Sequence, residues 1–204
     1  QKVPRVMPEK LHWFRWEAAI TWLSGILLLF MVYYHGGLMI NFDDSPISQR
    51  TAVWLSMGLL IASWPIYDLL WFKLIKNETA GIVVSFVLIV ALNWWLARLF
   101  SGRAAYMQLG GMFGTIMVSN VWMRILPAQR RMVAALKTGA EPDQAEALRA
   151  KKSSRHNTFI VIPVVVIMIS NHFPTITYGN HYNWVILSGL VLAGWWAAKL
   201  IRRA

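Results

Sequence analysis

Long apolar runs alternate with short polar stretches along the whole chain, and the Lys and Arg residues collect in the polar stretches. A helix that crosses a membrane needs about 20 predominantly apolar residues. Six runs approach that length, so the pattern predicts an all-α fold: a polytopic membrane helical bundle of about six transmembrane helices. The predicted helices of this single domain, residues 1–204, lie at about 16–40, 51–72, 80–99, 106–125, 158–173 and 182–201.

The fifth run is the shortest of the six, and its stretch 159–169 is rich in Val and Ile. A buried strand is the alternative there, but the neighbouring spans favour a helix. The one sizeable loop, 126–157, is polar and alanine-rich, with Pro127, Gly139 and Pro142 as breakers around two short helical stretches. We interpret this loop as a solvated connector on the cytoplasmic side.

The charge distribution predicts the orientation of the bundle. Apolar residues make up 57% of the chain and charged residues only 14%, which is a poor composition for a soluble surface. If the first helix starts in the cytoplasm, only Arg50, Arg98 and Arg103 of the 20 Lys and Arg residues lie on the outer side. Cytoplasmic loops of membrane proteins are enriched in Lys and Arg, so we expect both chain ends on the cytoplasmic side.

The net charge of +11 does not indicate nucleic acid as a partner, because the basic residues flank apolar spans and the sequence contains no known nucleic-acid-binding motif. The lipid bilayer, with its anionic cytoplasmic leaflet, is the expected counter-charge. The chain has no cysteine, which excludes disulfides, thiolate metal sites, iron–sulfur clusters and a c-type haem within it. We predict no metal site in this chain.

Polar groups inside spanning helices are costly, so each one is a candidate for function or for helix packing. Asp68 follows the kink expected at Pro65, and Arg124 ends the fourth span on the same side, so a pair between the two charges is our hypothesis. Asn120 lies one turn before Arg124 on a shared helix face. Gly110 and Gly114 form a GxxxG pattern, which predicts a packing seam.

The predicted topology divides the histidines into two groups. His12 and His156 fall at the cytoplasmic interface, whereas His35, His172 and His181 fall toward the outer face. Such groups would suit two b-type haems, one near each membrane surface, held by pairs of imidazoles, and ordinary interfacial histidine is the alternative. His156 and His172 would lie roughly 24 Å apart along one helix and about 160° apart around it, which disfavours a haem stack on one helix face.

Several strings resemble the membrane domain of the bacterial cytochrome-linked urate hydroxylases, the urate oxidase N-terminal family. They occur in the family's order and cover most of the chain. The strings are 11–25 (LHWFRWEAAITWLSG), 107–129 (MQLGGMFGTIMVSNVWMRILPAQ), 154–158 (SRHNT) and 169–174 (ISNHFP), followed by Tyr178-Gly179 and Asn183-Trp184.

The resemblance implies an enzyme of purine degradation in the bacterial inner membrane. It would oxidise urate to 5-hydroxyisourate and pass the electrons to a cytochrome c domain fused behind a further helix. Family members also carry an earlier helix with a histidine. This chain begins at Gln1 without an initiator Met and without a signal-peptide pattern, so we expect it to be a piece of a longer protein.

The same resemblance supplies candidate site residues, because motif membership can be transferred position by position. Arg124 would neutralise the urate anion, while Asn120 and Gln108 would hydrogen-bond its carbonyl and N–H edges. The catalytic candidates are His156, Asn171 and His172, and the candidate haem ligands are His12, His156 and His172. The full marked set is His12, Glu17, Gln108, Asn120, Arg124, His156, Asn157, Asn171 and His172.

A second interpretation comes from a different functional class. The chain would be a non-catalytic transmembrane subunit that packs against other membrane subunits of a respiratory or photosynthetic electron-transfer complex. A transporter would require internal repeats, and the sequence shows no convincing repeat.

Overall fold

The computed structural model describes residues 3–202, with side chains from residue 15 onward and at residue 13. This part of the chain forms seven α-helices and no strand, which confirms the all-α prediction. The helices are α1 (Val3–Leu29), α2 (Gln49–Leu69), α3 (Glu78–Leu99), α4 (Gly102–Asn120), α5 (Leu126–Thr138), α6 (Gln144–Ser170) and α7 (Asn183–Ile201).

Six helical stretches of the described residues are long and apolar enough to cross a membrane, as the sequence predicts. Two of them end in a π-helical turn, and a third contains one. These turns are Phe30–His35 after α1, Leu70–Leu74 after α2 and Val121–Ile125 between α4 and α5. Single π-helical turns inside longer helices occur frequently at functional sites.

Polar caps define where several helices begin. Asn77 Oδ1 accepts from the backbone N–H of Thr79 at 2.9 Å at the start of α3. Asp143 Oδ1 accepts from the N–H of Ala145 at 2.8 Å at the start of α6. These side chains satisfy backbone donors that have no partner within their own helix, so each cap stabilises a helix start by about 1 kcal/mol. Ser48 and Ser101 cap α2 and α4 in the same way.

α4 lies at the centre of the bundle. It packs against α1, α2, α3 and α6, whereas α7 packs against α3 and α6. The central position of α4 agrees with the burial of its aromatic and amide side chains, since Tyr106, Gln108, Phe113 and Asn120 are all buried. Residues on α4 are therefore the ones best placed to join polar groups from different helices.

The predicted loop 126–157 is largely helical. Pro127 does not interrupt the chain: it lies directly after the π-helical turn Val121–Ile125, and the helical stretch continues through it from Gly102 to Thr138. Gly139 ends α5 with φ 74°, and only a short link containing Pro142 precedes α6. α6 then continues unbroken to Ser170, so stretch 159–169 is helical and the strand alternative does not apply.

The close packing of α4 does not follow the GxxxG pattern. A Cβ on Gly110 would lie 3.3 Å from Cγ2 of Ile167, and one on Gly111 would lie 3.2 Å from Cδ2 of Leu60, whereas one on Gly114 would meet nothing within 4 Å. The close contacts of α4 with α6 and α2 are therefore made through the consecutive residues Gly110 and Gly111. A tighter approach occurs between α6 and α7, at Pro163 and Gly194.

Candidate functional site

Asp68 and Arg124 form the ion pair that the sequence predicts. Arg124 Nε donates to Asp68 Oδ1 at 2.8 Å, and Nη2 donates to the same oxygen. The guanidinium also lies over the ring of Phe72, 3.8 Å from its centroid. The two charged side chains are only 20% and 16% exposed, so their pairing offsets the cost of removing them from water.

The pair lies next to two π-helical turns. Asp68 lies two residues before the turn Leu70–Leu74, which carries Phe72, and Arg124 lies within the turn Val121–Ile125. A π-helical turn inserts extra backbone and rotates the side chains that follow it relative to an ideal α-helix. The two turns therefore help to set the directions of Arg124 and of Phe72, whose ring lies under the guanidinium.

A hydrogen-bonded chain of side chains lies beside the ion pair and connects three helices. Asn120 Nδ2 donates to the phenol oxygen of Tyr67 at 3.2 Å, and that oxygen lies 2.7 Å from Nδ1 of His156. Asn120 Nδ2 also donates to Asn157 Oδ1 at 3.0 Å. We call Tyr67, Asp68, Asn120, Arg124, His156 and Asn157 the inner polar network.

The amide of Asn120 is fully used within the protein. Its Oδ1 accepts from Trp64 Nε1 at 3.2 Å, and its Nδ2 donates to both Tyr67 and Asn157. Asn157 is itself held by a 3.0 Å bond from its Nδ2 to the carbonyl oxygen of Met117. Asn120 therefore orients its neighbours. It could contact a substrate only if a hydrogen bond to the substrate replaced one of these three bonds.

His156 is enclosed by aromatic and cationic neighbours. Its ring lies 4.4 Å from the ring of Trp71, centroid to centroid, at 61°. Lys152, one turn earlier on α6, donates from Nζ to the Trp71 carbonyl oxygen at 2.9 Å. Arg155 forms an ion pair with Glu78 at the start of α3. Among the described residues, no group of three or more His, Asp or Glu side chains is placed to hold a metal ion.

Gln108 belongs to a separate buried set. It donates from Nε2 to the Ser56 carbonyl oxygen at 3.2 Å and accepts from the Ser56 hydroxyl, whose oxygen lies 2.7 Å from that of Tyr34. Gln108 precedes Asn120 by twelve positions on one helix, which corresponds to about 18 Å along its axis. Asn120 and Arg124 lie four positions apart on the same helical stretch, whereas Gln108 is too far from both to contact the same small ligand.

Asn171 and His172 lie at the other end of the bundle. Asn171 ends α6 and accepts from Arg103 Nε at 3.0 Å, while His172 is exposed directly after it. His35 and His181 are exposed at this end as well. Of the catalytic candidates, only His156 lies in the inner polar network, since His172 is separated from it by about 24 Å of helix.

Comparison with known proteins places these residues in a family. The model of the urate oxidase N-terminal family matches residues 1–203. The chain belongs to that family. Searches of the curated proteins and of the solved structures gave no match. The family match includes every residue of the inner polar network.

In this urate oxidase N-terminal chain, the predicted haem ligands do not form a pair among the described side chains. His156 lies at one end of the bundle and His172 at the other. The remaining candidate, His12, lies on α1, and its side chain is outside the described residues. The pairing of His12 with His156 therefore stays a prediction.

Sequence reasoning missed Tyr67, which joins His156 to Asn120 in the structure. Nothing in a single sequence marks one tyrosine of an apolar span as a buried hydrogen-bond partner. The available signal is local: Tyr67 lies between Pro65, where a kink is expected, and the charged Asp68. The hydrogen bond from Trp64 to Asn120 was missed for the same reason.

Proposed function

We propose that this chain is the membrane domain of an oxidoreductase that converts urate to 5-hydroxyisourate and passes the electrons to a cytochrome c. The reaction takes one water molecule, whose oxygen becomes the 5-hydroxyl group, and it releases two protons. Two electrons leave urate, and each reduces one cytochrome c haem. The observation that carries the proposal is the family match over residues 1–203, which spans the whole inner polar network.

The chemistry of the inner polar network suits a small planar anion. Asp68 occupies two N–H groups of Arg124, and a guanidinium has five, so Arg124 retains donors for a ligand. Arginine favours planar recognition of this kind because its donors form a rigid fork. In this proposal Arg124 binds urate, and Asp68 together with Phe72 holds the guanidinium in place.

His156 is the proposed proton acceptor. Its Nδ1 is hydrogen-bonded to Tyr67, and Tyr67 in turn accepts from Asn120, which lies one helical turn from Arg124. In this proposal a ligand bound at Arg124 also contacts the Tyr67 hydroxyl. The phenol oxygen accepts the ligand's proton as the hydroxyl gives its own proton to Nδ1 of His156. Asn120 and Asn157 act as positioning residues, since they set the orientation of the groups that touch the ligand.

We also propose the cellular arrangement that the sequence predicts. The Lys- and Arg-rich end of the bundle, which contains the inner polar network, faces the cytoplasm of a bacterium, and the protein lies in the inner membrane. The cytochrome c partner acts from the opposite face.

The alternative role for His156 is to hold a b-type haem together with His12. In that role its one acceptor nitrogen would bind the iron, so it would not accept the proton, and the haem would supply single-electron transfer. Its signature would be a b-type band in a reduced-minus-oxidised spectrum.

The test is urate-dependent reduction of cytochrome c by the protein in lipid nanodiscs, with 5-hydroxyisourate measured in parallel. We expect Arg124→Gln and His156→Gln to lower the rate at least tenfold. Arg130→Gln is the matched control, because Arg130 is an exposed cation on α5 outside the network. Full activity in both network variants would refute the site, and the absence of urate turnover in the unmodified protein would refute the function.

The second candidate function is a non-catalytic transmembrane subunit of an electron-transfer complex. One observation favours it: the polar groups around Arg124 satisfy one another, so the ion pair and the Asn120 amide could serve only to lock α2, α4 and α6 together. On this alternative, the protein would copurify with larger redox subunits and would show no urate turnover alone or in that complex.

A further inference from the structure

A cavity of about 690 Å³ lies between α2, α3, α6 and α7, with α4 as its floor. Its volume falls within the roughly 300–1,000 Å³ that is typical of ligand and cofactor sites. The cavity is distinct from the proposed urate site, because neither Arg124 nor Asn120 lines it, although Tyr67 and His156 form part of the wall between the two. The cavity and the proposed urate site can therefore hold different ligands.

The interior of the cavity is apolar over most of its length. Its walls are formed mainly by Leu, Ile, Met, Phe and Trp side chains, and the two serine hydroxyls among them have partners within the protein. The hydroxyl of Ser85 accepts from Trp71 Nε1 at 3.0 Å, and that of Ser63 donates to the Leu60 carbonyl oxygen at 2.7 Å. A polar ring such as urate would leave these walls uncovered, whereas a hydrocarbon chain would match them.

Charged residues line only one end of the cavity. Arg155, Lys199 and Arg202 are set against a single acid, Glu78, so the mouth has an excess of positive charge. Arg155 pairs with Glu78, and the Arg202 guanidinium lies 5.6 Å from the ring centroid of Phe159. These residues lie near the start of α3 and the end of α7, where a spanning helix meets the lipid headgroups.

The length of the cavity matches one leaflet of a bilayer. Along α7 the lining runs from Leu192 to Arg202, ten positions, which is about 15 Å of helix. The hydrocarbon core of a bilayer is about 30 Å thick, so one leaflet contributes about 15 Å. A molecule with its head at the charged mouth and a tail of leaflet length would fill the site.

We propose that this cavity binds an anionic phospholipid of the surrounding membrane. The phosphate lies at the mouth among Arg155, Lys199 and Arg202, and one acyl chain runs inward along the apolar walls. Basic pockets between transmembrane helices bind anionic lipid headgroups through such charge complementarity. A neutral quinone would use the apolar walls but not the three cations, so the charge at the mouth favours the phospholipid.

The experiment compares thermal unfolding of the protein in nanodiscs of phosphatidylcholine alone and of phosphatidylcholine with phosphatidylglycerol. We expect phosphatidylglycerol to raise the Tm, because a ligand that binds the folded state stabilises it. In the variant Lys199→Gln/Arg202→Gln, the rise should fall to half or less. The matched control, Arg130→Gln/Arg149→Gln, removes two exposed cations that do not line the cavity and should keep the full rise.

A second variant tests the acyl-chain part of the cavity without changing its charge. Ile82 lines the cavity and is 50% exposed, so Ile82→Trp should occupy the volume while the protein still folds. Native mass spectrometry of the unmodified protein should show retained phosphatidylglycerol, and Ile82→Trp should lose it. Equal Tm rises in all variants, a rise with inorganic phosphate alone, or retention of quinone or haem in place of the lipid would overturn the proposal.

Discussion

The phenol oxygen of Tyr67 and Nδ1 of His156 lie 2.7 Å apart, although the two residues are separated by 89 positions in the sequence. Their rings also meet edge to face, with centroids 5.8 Å apart. This contact joins α2 to α6 and separates the proposed urate site from the lipid cavity. Tyr67 therefore makes the contact between distant parts of the sequence that holds the inner polar network together.

Removal of the Tyr67 hydroxyl should impair both stability and catalysis. In Tyr67→Phe the ring still packs, but Asn120 and His156 each lose a partner, at a cost of about 1–3 kcal/mol of unfolding free energy. We expect urate-dependent cytochrome c reduction to fall at least tenfold, because the path from the ligand to His156 is broken.

The matched control for that variant is Tyr34→Phe. Tyr34 also has a 2.7 Å hydroxyl contact, to Ser56, but it belongs to the Gln108 set. Tyr34→Phe should therefore lower stability by a similar amount and leave the rate per folded molecule unchanged. Equal losses of rate in the two variants would contradict a specific role for Tyr67.

The Asp68–Arg124 pair should show strong coupling in a double-mutant cycle. Asp68→Asn and Arg124→Gln each leave an unpaired, mostly buried charge, and we expect each to cost about 2 kcal/mol of stability. The double variant removes both charges and should cost less than the two single changes added together. Denaturant unfolding in detergent micelles measures the cycle, and additive losses would show that the two side chains do not interact.

The contact between α6 and α7 should not tolerate one additional methyl group. A Cβ on Gly194 would lie 2.8 Å from Cδ of Pro163, whose ring is fixed and buried, so Gly194→Ala should destabilise the bundle by about 1–3 kcal/mol. Gly189→Ala on the same helix is the control, because its Cβ would meet nothing within 4 Å. Thermal unfolding of the two variants should rank Gly194→Ala well below Gly189→Ala.

The proposed orientation is open to direct labelling, because the chain contains no cysteine that would react in the background. Asp44→Cys lies in the link between α1 and α2, and Lys151→Cys lies on α6 near the other end of the bundle. A maleimide that cannot cross membranes should label Asp44→Cys in intact spheroplasts and Lys151→Cys only after permeabilisation. The reverse pattern would invert the topology and place the inner polar network outside.

The Asp68–Arg124 pair could be predicted from the sequence because it follows from the position of each charge within its own apolar span. A charge in an apolar span requires compensation, and few opposite charges are available at the same depth. The helical form of segment 126–157 was harder to predict. Pro127 normally indicates a break, but here the helix continues through it, directly after the π-helical turn Val121–Ile125, and only the structure shows that turn.

The sequence by itself determined the spanning helices and the end of the bundle that carries most of the positive charge. It also determined axial distances within a helix, because the rise per residue is constant: Gln108 cannot reach Asn120, and His172 cannot reach His156. The tertiary structure alone decided which faces of different helices meet. It places Tyr67 against His156, and it leaves a lipid-sized cavity between α2, α3, α6 and α7. The rotation and spacing of neighbouring helices depend on how their side chains pack together, and no local pattern in a single sequence encodes that packing.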